Sequence, residues 1–268
     1  MCIFSIVIFS LFCVINSYAQ TLGESIRCVY LEDYIKDSVQ PQNVRHDEFA
    51  LDIQPDGKSA FYSVYERAIR TSRDSMLRRG MTSAEIISRQ ANMPRTHQYF
   101  EYYKNIPVKG SYRCYDKVVK IYSYEDKLPS LKWDITSKTK EILGHTCQRA
   151  TAGIGGRTWN VWFTLDIPVA EGPWLLGGLP GLILEAADSE GLFHFKAIEL
   201  ENVNVALEEP QSKRIIRCTK KEFLTLRKNY ADDPTSGLRA VTGRNLKIMG
   251  PDGKPLKSKK KLTNYFEK

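Results

Sequence analysis

The chain has 268 residues, 42% of them hydrophobic and 26% charged, and carries a formal net charge of +8. That length is ample for a sizeable core, and the composition excludes a wholly disordered or collagen-like chain. No apolar run reaches the ~20 residues that a membrane-spanning helix needs, which excludes a helical transmembrane protein.

The chain opens on an apolar stretch, Ile3 to Ile15, and its first charged residue is Glu24. Such a stretch is too short to span a bilayer but matches the apolar core of a secretory signal peptide, and Ser17 and Ala19 supply the small residues read before cleavage. Residues 1–19 are therefore expected to be a signal peptide, although no Lys or Arg precedes the apolar core. Cys13 follows the bulky Phe12, which does not fit lipoprotein cleavage. Cleavage after Ala19 leaves Cys28, Cys114, Cys147 and Cys218. In an oxidising compartment four cysteines can form two bridges, and Cys114 with Cys147 and Cys28 with Cys218 are the pairings considered, against buried free thiols. None lies in a C-x-x-C, so neither a zinc site nor a redox motif is expected.

Ile26 to Ile35 reads as a first strand, followed by a polar loop over 36–46. FALDIQ, the turn Pro55-Asp56-Gly57 and SAFYSV then read as strand, turn, strand. Tyr65 to Arg79 has helix-forming composition, with Gly80 to close it. Thr82 and Glu85 have capping-box spacing and open a short helix before Pro94. Strand-like patterns return at His97–Tyr103, Lys117–Tyr124, Leu131–Ile135 and Glu141–Thr151. The turn at Gly153–Gly156 leads into Arg157–Thr164, and Leu182–Ala187 with Leu192–Leu200 forms a last hairpin. A second capping box, Thr219 with Glu222, opens a helix to about Tyr230, and 233–237 reads as loop. These patterns give an α+β fold, mainly β, with a curved antiparallel sheet (open or a partial barrel) and a few helices. The division expected is one β-rich domain over 20–250 and a flexible basic tail over 251–268. The tail holds six Lys against Asp252 and Glu267, and is either a solvated tail or a contact for an anionic surface. Nucleic acid is not an expected partner, since no recognition motif is present.

Local chemistry is sparse. The four histidines, His46, His97, His145 and His194, include no i, i+4 pair and no H-E-x-x-H. No G-x-S-x-G elbow or cysteine-protease signature is present. No metal or cofactor is expected. Glu185, flanked by aliphatic residues, can be a partly buried acid with a raised pKa or a water-facing strand residue. The strongest local signal is Gly172-Pro173-Trp174-Leu175-Leu176-Gly177-Gly178-Leu179-Pro180-Gly181-Leu182-Ile183. Its glycines permit positive φ and close backbone approach, and Pro180 restricts Leu179, so it reads as a rigid turn that delivers Leu182 into a strand. It supplies no nucleophile, proton donor or metal ligand.

Gly178 to Ile183 spells GLPGLI, and with Gly144-His145-Thr146-Cys147-Gln148-Arg149-Ala150, Trp159 to Thr164 and Ile167-Pro168 the chain resembles the GLPGLI family of exported Bacteroidota proteins over residues 26–205. The resemblance implies an exported protein, periplasmic, outer-envelope or secreted, without an established biochemical activity. The expected role is non-catalytic: a binding or accessory protein of the envelope for an apolar ligand, a lipid, a peptide or a protein partner, contacted through Trp174, Leu175, Leu176 and Trp162. The alternative is an envelope hydrolase whose site gathers acid and histidine residues, such as Glu185, Asp188 and His194, from separate segments.

Overall fold

The computed structural model describes residues 24–243 and Phe266. The signal peptide expected over 1–19 lies outside the described residues, as does the basic tail apart from Phe266.

Among the described residues twelve strands share one sheet, in chain order β1 (Ser25–Ile35), β2 (Val44–Ile53), β3 (Ser59–Ser63), β4 (Phe100–Lys104), β5 (Ser111–Val118), β6 (Lys120–Lys127), β7 (Asp134–Ile142), β8 (His145–Ile154), β9 (Arg157–Thr164), β10 (Leu182–Asp188), β11 (Phe193–Val203) and β12 (Ile216–Arg217). Across the sheet they run β12-β6-β5-β4-β3-β2-β1-β11-β10-β9-β8-β7, so β12 and β7 are the open edges. β12 pairs parallel with β6, and the other pairings are antiparallel.

The sheet is strongly curved. Phe100 on β4 and Phe193 on β11 lie four strand spacings apart, about 19 Å on a flat sheet. Yet both rings contact Phe266, at 5.4 and 4.4 Å between centroids. The concave face carries the main core: Cys28, Tyr30 and Tyr34 of β1, Phe49 and Leu51 of β2, Phe61 of β3, Trp159 and Phe163 of β9 and Phe195 of β11 are all buried. A smaller cluster, Ala50, Ala60, Tyr62, Tyr103 and Tyr115, covers part of the convex face and takes Leu207 and Ile215 against it. The aromatic residues on both faces of β4 are thus explained, with Phe100 and Tyr102 facing one cluster and Tyr103 the other.

Helices α1 (Val64–Arg78) and α2 (Ser83–Arg89) interrupt the sheet after β3, and α1 packs on β2 and β3. Ser63 caps α1, and α2 opens on the Thr82–Glu85 capping box. α3 (Lys220–Asp232) opens on the Thr219–Glu222 capping box and sets Phe223 against Tyr122 and Tyr124.

Three sequence expectations are corrected. Lys117–Tyr124 is a hairpin, β5–β6, that turns at Val119 with φ +65°, a conformation rare for a β-branched residue and so invisible as a turn. Glu141–Thr151 is likewise two strands, β7 and β8, turning at Leu143 (φ +52°) and Gly144 (φ +78°), the φ signs of a type I′ turn. The expected loop at 233–237 instead begins α4 (Pro234–Thr242), with Pro234 at the first helical position, where its missing N–H costs nothing.

Candidate binding cavity

Between β9 and β10 the chain leaves the sheet for residues 165–181, and this excursion carries the Gly-rich motif. It closes one end of the concave face, beside the start of β1 and the ends of β2 and β4. Backbone bonds fold it on itself: Gly178 donates to Ala170 at 2.9 Å, Ile183 to Glu171 at 2.9 Å and Leu182 to Ile167 at 3.0 Å. Gly178 has φ +84°, and a Cβ on Gly181 would lie 1.9 Å from the carbonyl oxygen of Thr164. The glycines are thus a geometric requirement at both positions.

Two side chains from elsewhere hold the loop. Trp133 Nε1 donates to the carbonyl of Gly177 at 2.9 Å. Lys104, on β4 and only 2% exposed, donates from Nζ to the carbonyls of Gly172 (3.0 Å) and Leu176 (3.4 Å), and forms an ion pair with Glu171. A buried ammonium needs such partners, since a desolvated charge left unpaired is costly.

The loop, the start of β1 and residues 128–131 enclose a cavity of about 720 Å³. Its walls are mainly apolar, with Ile26, Ile53, Leu128, Leu131, Val169, Leu175 and Leu176 among them, and Lys104 and Glu171 as the charged pair. Of the contact residues expected from sequence, Leu175 and Leu176 line this cavity. Trp174 does not. It is fully buried, sits at φ +52°, and packs on Trp159 at 5.8 Å between centroids, so it is core and not a surface rim. Trp162 lies elsewhere, on the strand face that carries Glu185, with Lys140 Nζ 4.5 Å from its ring centroid. Gly178, Leu179, Pro180, Gly181, Leu182 and Ile183 form the turn into β10, with Leu179, Leu182 and Ile183 buried.

The four cysteines are free thiols, and the two expected bridges are absent. Cys28 is on β1, Cys114 on β5 and Cys147 on β8, none of them adjacent strands, and Cys218 follows β12 at the sheet edge. Across the strand pairings Cys114 faces Tyr102 and Tyr124, and Cys147 faces Thr164 and Lys140. Burial pushes Cys28 up to about 12 and Cys147 up to about 11, which disfavours a nucleophilic thiolate.

The acid and histidine residues considered for hydrolysis are divided between the two sheet faces. Glu185 accepts from Lys140 Nζ at 2.7 Å and lies 3.3 Å from His194 Nε2. Burial alone would raise its pKa, but the His194 and Lys140 contacts outweigh it and hold Glu185 at about 2, opposite to the raised value considered from sequence. Asp188 is on the other face, paired with Arg157 Nη1 at 2.9 Å and accepting the backbone N–H of Leu192 and Phe193. It anchors the β10–β11 turn.

Sequence reasoning missed a pair of buried carboxylates. Glu32 and Asp47 face one another across β1 and β2, both fully buried. Glu32 accepts from Gln98 Nε2 at 2.9 and 2.8 Å, and Asp47 from the backbone N–H of His97. Burial first, and the Asp47 charge second, push Glu32 well above the ordinary carboxylate range. Acids at core-facing positions of a strand were the available signal. Among the described residues no group of three or more His, Cys, Asp or Glu could hold a metal ion, and no helix is long and apolar enough to cross a membrane.

Residues 72–226 match the family described as "N-glycanase peptide, N-terminal domain". Two solved structures of PNGF-II, in space groups P21 and C2, align at 15% and 16% identity with TM-scores of 0.50 and 0.51, each over 76% of this chain. The chain spans about a third of those proteins, 33% and 32% of their length, and the likeness is one of fold. A putative outer membrane lipoprotein-sorting protein domain from Vibrio parahaemolyticus aligns at 10% identity over 71% of this chain and 89% of its own, with a TM-score of 0.24, too low to argue a shared fold. No curated protein matches the chain.

Proposed function

The chain belongs to the family of N-glycanase peptide N-terminal domains, and from that premise we propose that it is a non-catalytic binding or accessory module. Its cavity receives an apolar stretch of a peptide or protein partner. The observation that carries this reading is the cavity of about 720 Å³ beside the Gly-rich loop. Its apolar wall is held open by a loop locked to β4 and Trp133, so little conformational entropy is lost when a ligand enters. With the three N–H groups of Lys104 already given to the loop, Glu171 is the charged group of the wall left to meet a peptide's backbone N–H.

The proposal includes export to the cell envelope, supported by the apolar segment at Ile3 to Ile15 and by Ala19, and kinship with the GLPGLI proteins, supported by the word at Gly178–Ile183. Immobilised peptide libraries probed with the full chain test the binding reading. Peptides rich in Leu, Ile and Phe are expected to retain the protein, and Leu131→Lys, at the half-buried cavity wall, is expected to abolish retention while the circular dichroism spectrum is unchanged. Retention that survives this substitution, or none by any apolar peptide, overturns the reading.

A further inference from the structure

The cavity beside the Gly-rich loop has a polarity that its apolar walls hide. Donors along its lining are committed inside the protein. The ammonium of Lys104 faces the carbonyls of Gly172 and Leu176 and the carboxylate of Glu171. Asn105 gives its side-chain amide to the carbonyl of Gly57 at 2.7 Å, and Gln54 gives its own to the carbonyl of Val205 at 3.0 Å. The backbone N–H groups of Leu128, Val169, Glu171 and Gly178 donate to the carbonyls of Gly110, Ile167, Val169 and Ala170. Pro55, Pro129 and Pro168 also line the cavity and have no N–H to offer.

Acceptors remain. The side chain of Glu171 is 12% exposed, and its contact with Lys104 is the one ion pair it forms among the described residues. A carboxylate offers about four acceptor sites, so a single ammonium contact leaves most of them open. Glu24, exposed at the start of β1, lines the same cavity. Two carboxylates and one ammonium are the charged groups of the lining, which leaves it a net charge of −1. In a concave site with apolar walls such a charge acts more strongly on a ligand than on an open surface.

We propose that the cavity selects a primary ammonium group on an apolar peptide segment, with Glu171 as its acceptor and Glu24 as the second negative charge. The ammonium is the segment's terminal amine or a lysine side chain. An ammonium carries three donors and no acceptor, which suits a wall whose own donors are committed. A ligand carboxylate would instead meet two like charges and find the Lys104 ammonium already engaged. The apolar residues beside the ammonium lie against Ile26, Leu131, Leu175 and Leu176. This inference rests on the reading of the cavity as a peptide site and names the group that the site selects.

The test is calorimetric titration of the full chain with three peptides: Leu-Leu-Phe amide, its N-acetyl derivative, and N-acetyl-Lys-Leu-Leu-Phe amide. At least one of the two ammonium peptides is expected to bind about tenfold tighter than the acetylated one at neutral pH, the usual worth of a hydrogen bond to a charged group. A preference for Leu-Leu-Phe amide assigns the site to a chain terminus, and one for the lysine peptide assigns it to a side chain. Glu171→Gln is expected to cut the preference to about threefold or less while the acetylated peptide still binds. The pH profile of the unsubstituted chain tests the same point without any variant. A terminal amine loses its advantage as the pH rises through about 8, and a lysine only through about 10.4, with the acetylated peptide as the reference. Equal binding of all three peptides overturns the inference and leaves the apolar-peptide reading standing, whereas binding of none overturns both. A preference that survives Glu171→Gln, or one that outlasts deprotonation of the amine, also overturns it.

Discussion

Lys104 is where the structure makes its most quantitative commitment. Its ammonium is the shared partner of Glu171 and of the carbonyls of Gly172 and Leu176, and its side chain is 3% exposed against 12% for Glu171. Lys104→Met keeps the stem and removes the charge, which leaves a largely buried carboxylate and two carbonyls without their donor. Breaking one side of a buried ion pair costs about 3–5 kcal/mol. The slight exposure of Glu171 places the expectation near the lower bound, about 3 kcal/mol, a large share of the 5–15 kcal/mol that stabilises a typical domain. Urea unfolding of the single variants and of Lys104→Met/Glu171→Gln measures it through the midpoint at constant slope. The double variant is expected to recover at least about 1 kcal/mol relative to the sum of the singles, because the two groups are in direct contact. A loss below about 1 kcal/mol for Lys104→Met, or strict additivity in the cycle, refutes the account of the loop as locked through this amine.

Gly181→Ala is expected to destabilise by at least about 3 kcal/mol in the same urea assay, since its new Cβ would stand 1.9 Å from the backbone oxygen of Thr164, and backbone cannot yield as a side-chain tip does. Gly178→Ala meets only an ordinary contact, Trp133 Nε1 at 4.0 Å, but a φ of +84°, so the left-handed strain of about 1–2 kcal/mol is what is expected. Asp116, raised to about 6 chiefly by burial with Arg227 pulling the other way, favours folding when protonated. Its contribution is therefore fully present below about 3.8 and lost as the pH rises through about 6, and the stability of the native chain relative to Asp116→Asn is expected to fall by roughly 3 kcal/mol between pH 3.5 and 7. Glu32→Gln is expected to change thermal stability by less than about 1 kcal/mol at pH 7, because the amide keeps the carboxyl's shape and an oxygen acceptor for Gln98 while removing a charge that burial beside Asp47 disfavours.

Much of the fold was legible because its signals are local. The capping boxes at Thr82–Glu85 and Thr219–Glu222 fix the starts of α2 and α3 within two or three residues of a hydroxyl, and Gly57 marks the β2–β3 turn through its positive φ. The missed turns share a cause. Val119 and Leu143 adopt left-handed backbone without being Gly or Asn, so the usual punctuation is missing at Val119 and only half present at Leu143-Gly144, and both hairpins read as continuous strands. Their conformation is imposed by the pairing of the flanking strands, which is a property of the whole sheet. The cysteine pairings failed for a related reason: sequence order says nothing of the sheet order that places β5, β8 and β1 apart.

The candidate site divides along the same line. The Gly-rich segment announces itself because each glycine answers a backbone constraint, and such constraints are few and recognisable. What the loop does with them depends on Lys104, Trp133 and Phe266, which lie outside it in the sequence and carry no motif of their own. Lys104 ends an aromatic strand and reads there as a solvated edge charge, the commonest setting for a lysine. Only the return of the chain at Glu171 makes it a buried counter-ion. Trp174 shows the converse, since its place beside Leu175 and Leu176 reads as a contact surface until the curvature of the sheet turns it inward onto Trp159. The sequence word therefore specifies how the backbone turns, while the curvature of twelve strands decides which of its side chains a ligand can reach.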